Sequence, residues 1–248
     1  MGGGTGISVH GQFRVATDKT MFAMPETGIG LLPDVGATYW LAKLPDGVGA
    51  YLGLTGQRMF APDLLWLGLA THYCPSADLP SLASAVTAAL DATGDAARHP
   101  APPKGALVEP HAAAIARCFG SGADTVEGVV AALEHEAASG AGPDAEWARA
   151  AADVLATRSP TSLKVTLRAI NEAKGAASVD ECLQREFRIV QRFMRPGCDF
   201  HEGIRALLID KDGKPAWNPP SLGDLSEQQV DEYFATLGEH ELDLVARK

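Results

Sequence analysis

Two acids stand in a frame punctuated by proline and glycine: Glu26 and Asp34 of MPETGIGLLPDVG. Each leads into a glycine-containing turn, so neither reads as a surface acid in the middle of a helix. Three glycines, Gly2, Gly3 and Gly4, come before them. Without a Cβ, such backbone approaches another group closely. A helix starting there would present free N–H groups and the positive end of its dipole. A polarised N–H together with two carboxylates suits acyl chemistry at a carbonyl. The bland alternative is a flexible glycine loop followed by ordinary Pro-Glu and Pro-Asp turns. A phosphate loop fits less well, because no Gly-Lys-Ser/Thr follows the glycines and no strand precedes them.

The elements that must position these residues read as follows. A helix is expected over 5–11, strands over 13–17 and 21–24 around a turn at Asp18 and Lys19, and a third strand over 71–74. Phe13, Val15, Phe22 and Met24 are available for packing and read as buried. Short helices are expected over 36–43, 47–54 and 61–69, the last with Pro62 in its tolerated first turn. Residues 75–104 are rich in Ala, Pro and Asp and read as a linker or insertion with one helix near 82–90. The second half is helical: 126–138 capped by Asp124-Thr125, then 144–157, 160–174, a long helix from 179 to near Pro196, 200–209 and 227–237. Leu163, Leu167 and Ile170 form one apolar stripe, and Val179, Cys182, Leu183, Phe187 and Val190 another. Three regions result: 1–75, 76–143 and 144–248.

Composition narrows the function class. Among 248 residues, 46% are hydrophobic and 21% charged, the balance of a soluble globular protein. A net charge of −10 argues against a broad nucleic-acid-binding face. No apolar run has membrane-spanning length. The four cysteines show neither close pairing nor zinc spacing, so reduced thiols are expected, and the histidines form no HExxH site.

The stretch from Met1 through MPETGIGLLPDVGATYWLAKLP closely resembles the 3-hydroxyisobutyryl-CoA hydrolases, a branch of the crotonase (enoyl-CoA hydratase/isomerase) superfamily. LTGQRMFAPDLLWLGLATHYC, SPTSLKVTLRAI and CDFHEGIRALLIDKDGKPAWNP resemble the same branch in the same order, around a divergent middle. The resemblance implies an α/β fold: a crotonase-like spiral (ββα) core, with a helical C-terminal half. It also implies upstream strands and a first oxyanion loop, so the expectation is that an N-terminal segment, or another polypeptide, completes the sheet.

The resemblance carries roles to particular residues. Gly3 N–H becomes one oxyanion-hole donor. Glu26 acts on the thioester carbonyl, as nucleophile or as base for water. Asp34 binds the substrate's 3-hydroxyl and assists proton transfer. The implied reaction is hydrolysis of 3-hydroxyisobutyryl-CoA in valine breakdown in the mitochondrial matrix, with CoA as part of the acyl-CoA substrate and no other cofactor. The resemblance extends to a hydrolase-like subunit of mitochondrial small ribosomal subunits. That scaffolding alternative is the one setting in which nucleic-acid contact is expected. A hydratase or isomerase fits the Asp34 segment less well. In DFHEGIRALLIDKD a structural role is expected, with Asp199 capping, Arg205 pairing with Asp210, and Leu207 and Leu208 packing; Trp217 anchors a loop.

Overall fold

The structure is a computed structural model that describes residues 1, 3–82, 84 and 105–244. The chain divides into two units: Gly3–Ala23 with Arg58–Pro110, and Met24–Gln57 with His111–Lys248.

In the first unit, helix α1 (Gly3–Ser8) leads to strand β1 (Val15–Ala16), which pairs in parallel with β2 (His72–Tyr73). The register sets Val15 opposite His72 and Ala16 opposite Tyr73. Arg14 fixes this junction: its backbone N–H donates to Thr71 Oγ1 at 2.7 Å and its guanidinium to the carbonyls of Leu69 and Gly68. Both strands are shorter than their sequence suggests, since a ladder with a single neighbour has little to extend it. The strand expected over 21–24 is a single antiparallel bridge, Phe22 to Met59. Phe13 and Val15, expected to be buried, are exposed, while Met24 is buried. The apolar alternation reflects β geometry, which lets a side chain point outward as easily as inward. Helices α2 (Ala37–Leu41) and α3 (Val48–Thr55) fall in the second unit, and α4 (Ala61–Trp66) in the first. On α4, the fully buried Asp63 accepts from the backbone N–H groups of Leu107, Val108 and Glu109, so one carboxylate pins the incoming chain. The helix expected near 82–90 lies outside the described residues, apart from Leu82 and Ser84.

The second unit is helical. All eight residues of α3 are buried, as an apolar-all-round helix requires. Tyr51 on α3 packs against Phe119 and Trp147. Those rings belong to α5 (Ala112–Phe119), which the sequence does not announce, and α7 (Pro143–Ala156). Between them α6 (Val126–Ala138) is capped by Thr125, whose hydroxyl accepts from Gly128 N–H. Helix α8 (Pro160–Ala173) buries the expected Leu163, Leu167 and Ile170.

Helix α9 (Val179–Phe193) differs from expectation in its rotation. The residues that it buries fully on one face are Cys182, Glu186, Ile189 and Phe193, whereas Val179, Leu183, Phe187 and Val190 are half-buried. An acid in the buried line masks the true stripe when only apolar residues are counted. Ile189 and Phe193 join Leu31, Leu32, Val165, Ala169, Leu225 and Val230 in one core. The last of these lies on α11 (Glu227–Phe234), closed by a Ser226/Gln229 capping box.

Candidate active site

Glu26 begins a short 3-10 turn, Glu26–Ile29, which is held on several sides by other elements of the same unit. Thr27 is fully buried and donates its hydroxyl to Leu54 O at the end of α3. Its carbonyl accepts from Ser159 N–H. Gly28 lies under the Arg158 guanidinium, where an added Cβ would stand 2.7 Å from Nη1. Arg158 is itself tied to Thr55 O. Ile29 and Gly30 abut helix α10 (Asp199–Ile204) so closely that a Cβ on Gly203 would overlap the Ile29 backbone, and one on Gly30 the Asp199 carbonyl. Gly30 adopts φ 72°, so both a close approach and a left-handed turn select glycine there.

This contact gives the downstream DFHEGIR segment its role. Asp199 does not cap α10; Cys198 occupies the cap position. The Asp199 carboxylate instead accepts from Ser159 Oγ at 2.6 Å and Asn218 N–H at 2.8 Å, because it faces inward where those donors would otherwise be unpaired. Thr27, Ser159, Asp199 and Asn218 thus form one hydrogen-bonded line behind the Glu26 turn. Arg205 pairs with Asp210, as expected, and also with Glu202 and Asp212. Leu207 and Leu208 do not pack: they are 53% and 58% exposed. Helix α10 widens into a π turn over Arg205–Ile209, in which Ala206 alone is buried. Trp217 does anchor its loop, donating Nε1–H to Thr157 O at 3.0 Å.

Glu26 is 7% exposed, and its Oε2 is buried with no hydrogen-bond partner among the described residues. Burial penalises its charge and lifts its pKa from an ordinary 4.5 to about 7, with the nearby Asp34 adding to the rise. Asp34 is also raised, again by burial. The structure therefore brings the two sequence-predicted acids into electrostatic range of each other. Gly3 belongs to the other unit, where it begins α1 with open space beside its Cα.

Asp34 is held by an unusual turn. Val35 takes φ 56° and Gly36 φ 80° before α2 begins. A β-branched residue in the left-handed region costs on the order of 1–3 kcal/mol, so other contacts must impose it. The residues that follow are anchored by Glu186 on α9. Its Oε2 accepts from Gly36 N–H at 2.7 Å, and its Oε1 from Thr38 N–H at 3.0 Å and Thr38 Oγ1 at 2.7 Å. Glu186 is 3% exposed; burial raises its pKa to about 7 against the pull of these bonds. Sequence reasoning missed this residue. In ECLQREFRIV it has no motif around it, and its signal was its place in the i, i+4, i+7 line of Cys182, Glu186 and Ile189.

Known proteins share this arrangement of sequence and fold. The family profile described as enoyl-CoA hydratase/isomerase matches residues 1–234. The mitochondrial 3-hydroxyisobutyryl-CoA hydrolase of Danio rerio is 43% identical over 255 residues, covering 98% of this chain and 64% of that protein. The small ribosomal subunit protein mS47 of Arabidopsis thaliana is 41% identical, covering 96% of this chain and 59% of its own length. This chain thus spans less than two thirds of these relatives. Among solved structures, a carnitinyl-CoA dehydratase from Mycobacterium thermoresistibile superposes with a TM-score of 0.84 at 36% identity, covering 99% of this chain and 68% of that one. The fold is accordingly the α/β crotonase fold.

Proposed function

The chain belongs to the enoyl-CoA hydratase/isomerase family, and we propose that within it the protein hydrolyses the thioester of 3-hydroxyisobutyryl-CoA to 3-hydroxyisobutyrate and CoA. The observation that carries this reading is a buried Glu26 carboxyl lifted to about 7 with one oxygen unpaired, beside Asp34. A carboxylate of that basicity is substantially ionised at neutral pH and still a competent base. Glu26 attacks the thioester carbonyl directly or takes a proton from the water that does. As nucleophile, Glu26 forms a C–O bond to the acyl carbon as the C–S bond breaks, and water then hydrolyses the resulting anhydride and restores the carboxylate; as base, Glu26 takes a proton from water, whose oxygen bonds the acyl carbon as the C–S bond breaks. In both routes water supplies the new oxygen of the free acid and the proton with which the thiolate leaves as CoA. Asp34 accepts a hydrogen bond from the substrate's 3-hydroxyl and helps move the proton. The family resemblance gives Gly3 N–H the part of an oxyanion donor. CoA enters only as part of the substrate. The 43% identity to a hydrolase named as mitochondrial supports a mitochondrial location; the matrix is part of the proposal, from the family resemblance.

A second reading, a structural subunit of a mitochondrial small ribosomal subunit, is favoured by the 41% identity to a protein of that name. One set of measurements separates them. Purified protein is offered the 3-hydroxyacyl-CoA, its deoxy analogue and an enoyl-CoA, and free thiol and hydration are followed. Thiol release from the hydroxylated substrate, nearly abolished in Glu26→Gln and impaired mainly for that substrate in Asp34→Asn, is expected. Wild-type turnover by Glu26→Gln overturns the assignment of Glu26. Hydration of the enoyl-CoA without thiol release overturns hydrolysis. Co-sedimentation of the native protein with small ribosomal subunits, with no turnover, selects the second reading.

A further inference from the structure

We infer that Glu186 is a positioning residue for Asp34: through the left-handed turn at Val35 and Gly36 it determines whether the protein distinguishes a 3-hydroxyacyl thioester from its deoxy counterpart. The inference rests on the proposed role of Asp34 in receiving the 3-hydroxyl.

The geometry carries it. Glu186 projects from α9, a core helix, at a site flanked along the same face by Cys182 and Ile189, where an apolar side chain would be the ordinary choice. A carboxylate buried there is unfavourable unless its oxygens are fully used. Its hydrogen-bond partners among the described residues are Gly36, the N-cap of α2, and Thr38, the second residue of that helix. Gly36 offers no side chain to cap that helix. Glu186 therefore supplies from 150 residues away the cap that the local sequence lacks. The anchored atoms begin two residues after Asp34. Between them lies only Val35, held at φ 56°. Asp34 O in turn accepts from Ala37 N–H at 3.0 Å, closing the loop. The Asp34–Ala37 bond closes the turn from within, and the bonds from Gly36 and Thr38 to Glu186 anchor it to the core; if Gly36 N–H loses its acceptor, that anchor is weakened, and relaxation of the Val35 backbone re-aims the carboxyl of the residue before it. Glu26 is held by different contacts, at Leu54, Ser159 and α10. A change at Glu186 should consequently strike the function of Asp34 and spare that of Glu26.

The test uses the full chain and two substrates. For wild type, Glu186→Gln, Thr38→Val and Asp34→Asn, kcat/KM is measured on the hydroxylated thioester and on its deoxy analogue. Glu186→Gln is expected to lower the hydroxylated-to-deoxy ratio about tenfold or more, the scale on which small misplacements act, with the deoxy rate nearly retained. Thr38→Val, which removes one of the three donors, should lower it less, and Thr38→Ser should restore it. Adding Glu186→Gln to Asp34→Asn should leave the ratio where Asp34→Asn put it. An equal loss on both substrates, or a full further drop in the double variant, overturns the inference. If Glu186→Gln does not fold, the Thr38 pair decides by the same ratio. If wild type hydrolyses neither thioester, the functional reading fails first. The inference is then judged on a structure of Glu186→Gln: Val35 leaving the left-handed region supports it, and an unchanged turn refutes it.

Discussion

Replacing Glu26 with Gln should make the protein more stable at pH 8 than at pH 5, relative to wild type. The carboxyl is buried, and burial lifts its pKa from 4.5 to about 7. The folded state therefore holds this proton between those values, while the unfolded chain has released it. Because the folded state binds more protons, the contribution of this group to wild-type stability is greatest below pH 4.5 and is lost as pH rises through about 7. At about 1.36 kcal/mol per pH unit the full penalty approaches about 3 kcal/mol, of which about 2–3 kcal/mol falls between pH 5 and 8. Gln cannot ionise and escapes it. Its amide introduces a donor beside the unpaired position of Oε2, at about 1–3 kcal/mol, but that cost is the same at both pH values and cancels in the comparison. Glu186, which also titrates near 7, is present in both proteins and largely cancels too. Urea unfolding of wild type and Glu26→Gln at pH 5 and pH 8, followed by tryptophan fluorescence and extrapolated to water, reads the difference directly. If the stability difference between the two proteins is the same at both pH values, Glu26 is not a strained acid, and the chemistry assigned to it loses its physical basis.

Two further substitutions test the scaffold. Gly203→Ala drives a Cβ into the Ile29 backbone, so it should cost about 1–3 kcal/mol in urea unfolding and reduce thioester turnover by displacing the Glu26 turn, whereas Gly175→Ala on the surface should leave turnover unchanged. Asp63→Ala leaves the buried N–H of Val108 and the partly buried N–H of Leu107 without their acceptor; destabilisation of about 1–3 kcal/mol is expected by the same measurement, together with faster hydrogen exchange at those two amides.

The sequence disclosed most about elements whose signals are local. Helices α6, α7 and α8 lie within a residue or so of their expected bounds, because each has a cap or proline at its start and a regular apolar stripe. Strands were less legible. Their extent depends on partners 57 residues away for Val15 and 37 for Phe22, so 13–17 became the two-residue β1 and 21–24 a single bridge. Helix α5 escaped because its alanine run after His111 carries no side-chain cap and a short stripe. The π turn after α10 escaped for a related reason: RALLI has the spacing of an ordinary buried helix, yet the extra residue in its turn leaves three consecutive apolar side chains in the open.

The same contrast explains what could be read of the site. Glu26 and Asp34 are visible because reactive groups occupy turns with a distinctive local grammar of proline and glycine. The groups that hold them are not, because a turn is held by whatever the fold brings against it. For Glu26 that is Ser159 and Gly203, which taken alone read as a helix cap and a small residue. For Asp34 it is Glu186, which reads as a solvated acid on an amphipathic helix. Its position in the chain says nothing about Gly36 until α9 is placed against α2. One property does set it apart within its own helix. With Cys182, Ile189 and Phe193 as the buried line, Glu186 is the single charged residue in that line. A lone acid within an otherwise apolar helical stripe is unfavourable by several kcal/mol unless donors meet it. Such an acid therefore marks a place where some distant backbone must be waiting with unpaired N–H groups, as the first turn of α2 is.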